Sequence, residues 1–146
     1  QERGLRGGTV AAPLVAGLGF ATELAQQEQA DRFEKCESFK TEVLAFINSI
    51  SAVINTGNAS VMPNIVSFRV PGLDADAALL MLTDEIAAST GSACTSATVE
   101  PSHVLESMGL TNTESNETMR WSWSHNTLMP ELDHLRPLFK QLFTST

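Results

Sequence analysis

The sequence predicts an α/β (α+β) domain: a small, mostly antiparallel sheet of three or four strands with helices packed on one face. Three observations carry this. Phe33, Cys36, Val43, Ile47 and Ile50 recur at spacings that add up to one stripe of a helix. Residues 64–70 alternate β-branched or aromatic residues with polar ones. Leu132, Leu135, Leu138, Phe139 and Leu142 form a second apolar stripe near the C-terminus.

Taken in order, residues 1–8 are rich in Gly and Arg and read as a loop, after which Thr9 can cap a helix that tolerates Pro13 near its start. Residues 14–24 are small and apolar, suiting a helix packed closely on neighbours. A polar stretch at 26–32 leads into the second helical run, 33–50, where Cys36 reads as a small buried hydrophobe. A strand near Ala52 is weakly indicated. Residues 64–70 form a strand ended by Pro71-Gly72, and Asp74 caps a helix over 75–83. Residues 86–89 suggest a short buried strand. Residues 101–108 suggest a helix entered at Pro101 and stopped by Gly109, followed by a polar loop over 112–118. Residues 119–124 alternate as a strand. The last helix, 130–143, is weakened at its middle by Pro137, where a kink is expected.

Composition narrows the function classes. The chain has 146 residues, enough for one domain with a core of its own. Nine Lys+Arg against 17 Asp+Glu leave a formal charge of -8, the opposite of a phosphate-backbone binder, so no direct nucleic-acid binding is expected. No apolar run approaches the roughly 20 residues of a membrane span. Two cysteines make no disulfide framework and suit a reducing, cytoplasmic setting. The three histidines have no metal-ligand spacing.

Cys94 lies in Gly91-Ser92-Ala93-Cys94-Thr95-Ser96, a stretch without one large side chain. A thiol reacts as thiolate, and needs exposure and groups that favour the charge. Small neighbours expose it, and nearby hydroxyls and backbone N–H groups favour the anion. On this chemistry alone, a reactive thiol and an incidental cysteine in a Gly/Ser loop stand even.

The stretch Ser89-Thr90-Gly91-Ser92-Ala93-Cys94-Thr95-Ser96, followed by Glu100-Pro101-Ser102-His103, resembles the catalytic-loop signature of the NifS/IscS-type cysteine desulfurases, within the class-V aminotransferase superfamily. Three further segments match in order: Gln1-Glu2-Arg3-Gly4-Leu5-Arg6-Gly7-Gly8-Thr9, Pro63-Asn64-Ile65-Val66-Ser67-Phe68 and Arg120-Trp121-Ser122. The resemblance implies the C-terminal portion of a fold-type I enzyme dependent on pyridoxal 5'-phosphate. Residues 1–30 would end its large, cofactor-binding domain. Residues 31–146 would be a connecting helix and the small domain that carries the Cys loop.

It also implies roles. Cys94 would attack the sulfur of L-cysteine, leaving L-alanine and an enzyme persulfide for a sulfur-acceptor protein. Arg120 would clamp the substrate carboxylate, for which a guanidinium fork is suited; a salt-bridged strand arginine is the plain alternative. Thr9 would reach a cofactor phosphate in the neighbouring subunit of a homodimer; a plain helix cap is the alternative. His103 reads as local packing and His134 as solvated, while His125 replaces a Gly-Arg pair common in the family.

One departure limits these implications. The family's cofactor-binding lysine segment lies upstream, and Lys35, Lys40 and Lys140 match no such motif. The start at Gln1 rather than Met reads as a piece of a longer protein; a split-enzyme subunit or a free-standing sulfur-relay domain are the other readings. A Cys-His hydrolase built on Cys94 and His103 is disfavoured, since no third member or oxyanion motif accompanies them. Apolar surfaces on the N-terminal helices would then need an oligomer contact to cover them.

Overall fold

The computed structural model describes residues 2–4, 7–90 and 102–144. Its longest element is a single helix, α1 (Ala12–Ser49), where two were expected. The polar stretch at 26–32 does not break it, because Gln, Glu, Ala and Arg are all good helix formers. Ion pairs spaced i,i+4 also brace it, Arg32–Glu28 at 2.7 Å and Lys35–Asp31 at 2.8 Å. Thr9 is not the cap: the N-cap is Ala11, with no side-chain hydrogen bond. Thr9 stands two residues too early for its hydroxyl to reach the first free N–H groups of the helix.

After α1 the chain turns through Ser51, at φ 58, into β1 (Val53–Ile54). Strands β2 (Ile65–Arg69), β3 (Ser89–Thr90) and β4 (Thr118–Ser122) complete a sheet in the order β1-β2-β4-β3, antiparallel throughout. The register of β2 on β4 pairs Val66 with Trp121, Ser67 with Arg120 and Phe68 with Met119. Because side chains alternate, Val66, Phe68, Met119 and Trp121 share one face, and all four are buried. Ser67, Arg120 and Ser122 share the other.

The buried face meets the C-terminal half of α1, together with α2 (Ala75–Met81) and α5 (Leu132–Thr144). Phe46 is the centre of this contact. Its ring stacks on Trp121 at 5.6 Å between centroids and meets Phe139 edge-on at 5.7 Å, while Phe68 meets Trp121 edge-on at 5.4 Å. Trp123 stacks on Phe39 at 5.0 Å and donates its indole N–H to the Cys36 carbonyl at 3.2 Å. Cys36 is buried, as expected from its place on the apolar stripe.

Asp74 caps α2 as expected, its Oδ1 accepting from the N–H groups of Asp76 and Ala77, both at 3.0 Å. Strand β3 starts at Ser89, later than expected. Glu85 and Ile86 both donate their N–H to the Leu82 carbonyl at 2.9 Å, so they extend the turn after α2. The next helix, α3 (His103–Ser107), ends at Gly109, whose φ of 89 suits glycine.

The expected loop at 112–118 is instead a short helix, α4 (Asn112–Asn116). It is held by a capping box in which the Glu114 N–H donates to Thr111 Oγ1 and the Thr111 N–H donates to Glu114 Oε2. Helix α5 runs through Pro137 without interruption. The N–H that proline lacks would have met the carbonyl of Asp133, in the helix's first turn, and Arg136 braces that turn through Asp133, Ser49 and the Phe46 ring.

Two outcomes follow. Phe46→Ala is expected to cost about 3–5 kcal/mol, whereas Leu80→Ala, at a site 79% exposed, should change stability by about half a kcal/mol or less; urea denaturation of both variants measures the contrast. The capping box also carries a pH signature. Hydrogen bonds from the Thr111 backbone and hydroxyl, with Arg69 nearby, hold the Glu114 carboxyl below its ordinary 4.5. Its contribution is therefore complete above that value and lost as pH falls through the lower folded value. Melting temperatures from pH 5.5 downward should fall more steeply for the natural chain than for Glu114→Gln, and parallel curves would refute the assignment.

Candidate functional site

The sheet's second face is polar, and its centre is Arg120. Antiparallel pairing puts Ser67 directly across from Arg120 on one side and Ser89 on the other. Beyond Ser67, the Asn55 N–H donates to the Ser67 carbonyl at 3.0 Å. Asn55, Ser67, Arg120 and Ser89 thus form one polar row across four strands' width. Nothing local in the sequence places Ser67, Ser89 and Asn55 beside Arg120, because the strand register sets those neighbours.

The row is partly wired together. The Asn55 amide Nδ2 donates to Ser67 Oγ at 2.9 Å and to Thr118 Oγ1 at 3.2 Å, and Thr118 in turn donates to the Glu114 carbonyl at 2.7 Å. Arg120 itself is exposed and makes no ion pair among the described residues. The other arginine in this region, Arg69, is occupied by Glu114 at 3.1 Å and Glu117 at 3.7 Å. The salt-bridged alternative for Arg120 therefore finds no partner there, and its guanidinium is available to an incoming anion.

Cys94 lies outside the described residues. What the structure does fix is where its segment departs: Thr90 ends β3, paired with Met119, one residue from Arg120 along β4. Thr9 lies elsewhere. It precedes α1 and is exposed. From Ala12 to Cys36, where Trp123 joins helix to sheet, the axial rise of about 1.5 Å per residue gives about 36 Å. One chain thus does not bring Thr9 and Arg120 together.

No lysine among the described residues suits a covalent pyridoxal phosphate. Lys35 and Lys40 lie on α1 and Lys140 on α5, helices that cover the opposite face of the sheet. The hydrogen bond and charge of Asp31 push the Lys35 pKa up from its ordinary value, the direction opposite to that of an activated amine. The histidines are scattered. His103 opens α3 and is exposed, so the packing role expected for it is not seen among the described residues; His125 lies in the turn after β4; His134 is exposed, as expected, with its Nε2 3.3 Å from Glu85. Among the described residues, no group of three His, Cys, Asp or Glu side chains is placed to hold a metal ion. Nor is any helix among them long and apolar enough to cross a membrane.

Comparison with known proteins gives one consistent result. The family model for class-V aminotransferases matches residues 1–135. The chain is 38% identical over 134 residues to the mitosomal cysteine desulfurase of Encephalitozoon cuniculi, covering 91% of this chain and 31% of that protein. It is 34% identical over 135 residues to cysteine desulfurase IscS of Proteus mirabilis, covering 92% and 33%. A NifS-like protein from Rickettsia africae shares the fold at a TM-score of 0.77 with 24% identity, over 99% of this chain and 38% of the other. DndA from Streptomyces lividans superimposes at 0.61 with 34% identity, over 85% and 35%. The chain spans about a third of the length of the curated relatives it matches.

Proposed function

The chain belongs to the class-V aminotransferase family, and from that premise we propose that it supplies the sulfur-accepting and carboxylate-binding part of a cysteine desulfurase. The observation that carries this reading is the placement of Arg120. It is exposed at the centre of the polar sheet face, without an ion-pair partner among the described residues, next to the strand from which the Cys94 segment departs.

Arg120 binds the carboxylate of L-cysteine through its planar fork. Cys94 follows Thr90 by four residues, so the chain's maximal span of about 3.6 Å per residue holds its Cα within about 14 Å of Thr90. That is a distance a substrate held at Arg120 and a cysteine side chain together cover. The balance of the transfer is simple: the Cys94 thiol and substrate cysteine become a Cys94 persulfide and alanine. The cleavage draws on pyridoxal phosphate, an electron sink. The described lysines do not fit that cofactor, so its lysine comes from outside them.

Thr9 meets the cofactor phosphate of a neighbouring subunit in this proposal. Its distance from Arg120 within one chain favours that arrangement, as do the exposed Leu14 and Leu18, 75% and 70% accessible, on the adjoining turns of α1. The assembly is a cytoplasmic homodimer that passes sulfur to an acceptor protein. Residues 1–30 then belong with the large domain and 31–146 with the small one. The lysine placement also favours a second reading, a sulfur-relay domain that accepts persulfide sulfur on Cys94 without cleaving cysteine itself.

A fusion tests the two. Joining this chain to the upstream portion of the Proteus mirabilis relative should yield sulfide from cysteine in the presence of pyridoxal phosphate and a thiol reductant. Cys94→Ser should abolish it, and Arg120→Lys should raise KM by about tenfold with a smaller change in kcat. The chain alone should release none. Sulfide from the chain alone would contradict the assignment of the cofactor lysine, and an inactive fusion whose Cys94 still accepts persulfide would favour the relay.

A further inference from the structure

A cleft of about 310 Å3 opens between α1 and the turn that follows β1, at the edge of the sheet. Leu44, Ile54, Val61 and Ile65 give it apolar walls, and Asn58 and Lys40 contribute polar groups. Lys40 is the unusual member. Its side chain is only 14% exposed, and its one ion pair among the described residues, with Glu37, is long at 3.6 Å. The other basic residues of α1 that form ion pairs hold their partners at 2.7 Å and 2.8 Å.

The stem of Lys40 is packed at the cleft while its ammonium still reaches water, and a cation held at the edge of an apolar surface favours a close anionic partner. Glu37 is a poor one: it stays at 3.6 Å with its own side chain 44% exposed. The cleft therefore offers a cation with spare capacity beside a hydrocarbon wall. We propose that it binds a small amphipathic carboxylate. The carboxylate takes over from Glu37 as the close partner of Lys40, and a short hydrocarbon tail lies against Leu44, Ile54 and Val61. Burial of the tail supplies the affinity, at about 0.8 kcal/mol per methylene, and Lys40 supplies the selection for an anion. The net charge of -8 does not forbid this, since at physiological salt charges beyond about 8 Å are screened. The neighbouring turn, Thr56 to Ala59, brings no carboxylate to the cleft.

The test uses octanoate as probe and the whole 146-residue chain, labelled with 15N, in an NMR titration. Octanoate should shift the amides of Leu44, Ile54 and Asn58 saturably. Lys40→Met, which keeps the apolar stem, should weaken binding at least about tenfold, a loss of about 1.4 kcal/mol. Lys40→Arg should stay within about threefold, and Glu37→Gln should bind more tightly by removing the competing carboxylate. Octanol on the unaltered chain, which needs no substitution, should bind at least about tenfold more weakly than octanoate. Equal affinity for octanol and octanoate, equal affinity of Lys40→Met and the natural chain, or no saturable shift at all would each overturn the proposal.

Discussion

The pairing of β2 with β4 is the constraint on which the rest of this structure depends. With Val66 opposite Trp121 and Phe68 opposite Met119, one face of the sheet is committed to the helices, and the aromatic group of Phe46, Trp121, Phe68 and Phe139 holds it there. Because strand side chains alternate with a period of two, the same register forces Arg120 to the opposite, polar face. A slip of one residue would bury a guanidinium against Phe46 and expose Trp121. Core packing and site placement are thus one decision.

That linkage explains how much of the site could be read from residues alone. The strands found at 65–69 and 118–122 are legible as alternation over 64–70 and 119–124, whereas a role for Arg120 comes only from the family resemblance. Which residues flank it is not legible, since Ser67 and Ser89 lie 53 and 31 positions before Arg120 and meet it only through register. The two helical runs expected at the N-terminus are one helix, because the polar stretch between them has the helix propensity and the ion pairs to continue it. The helix α4 was overlooked despite a Thr111-to-Glu114 spacing that is itself a start signal, the flanking polar residues having suggested a loop.

Helix α1 divides into two physical regimes. From Cys36 onward it is locked to the sheet by Val43, Phe46 and Ile47, while its first half presents Leu14, Leu18 and Phe20 to solvent. A helix stabilised by tertiary packing over only half its length depends on propensity and local ion pairs for the rest. That division accords with the proposal that residues 1–30 belong with another domain and that Thr9, at the far end of the helix, works in a different site from Arg120.

In the proposed reaction Cys94 is the residue that accepts sulfur. Peptide mass spectrometry of the fusion protein, quenched by alkylation during turnover of cysteine without reductant, tests it most directly. The account predicts one additional sulfur atom on the peptide containing Cys94 and none on that containing the buried Cys36. Turnover of cysteine with no sulfur added at Cys94, or with the sulfur found at Cys36, would contradict it.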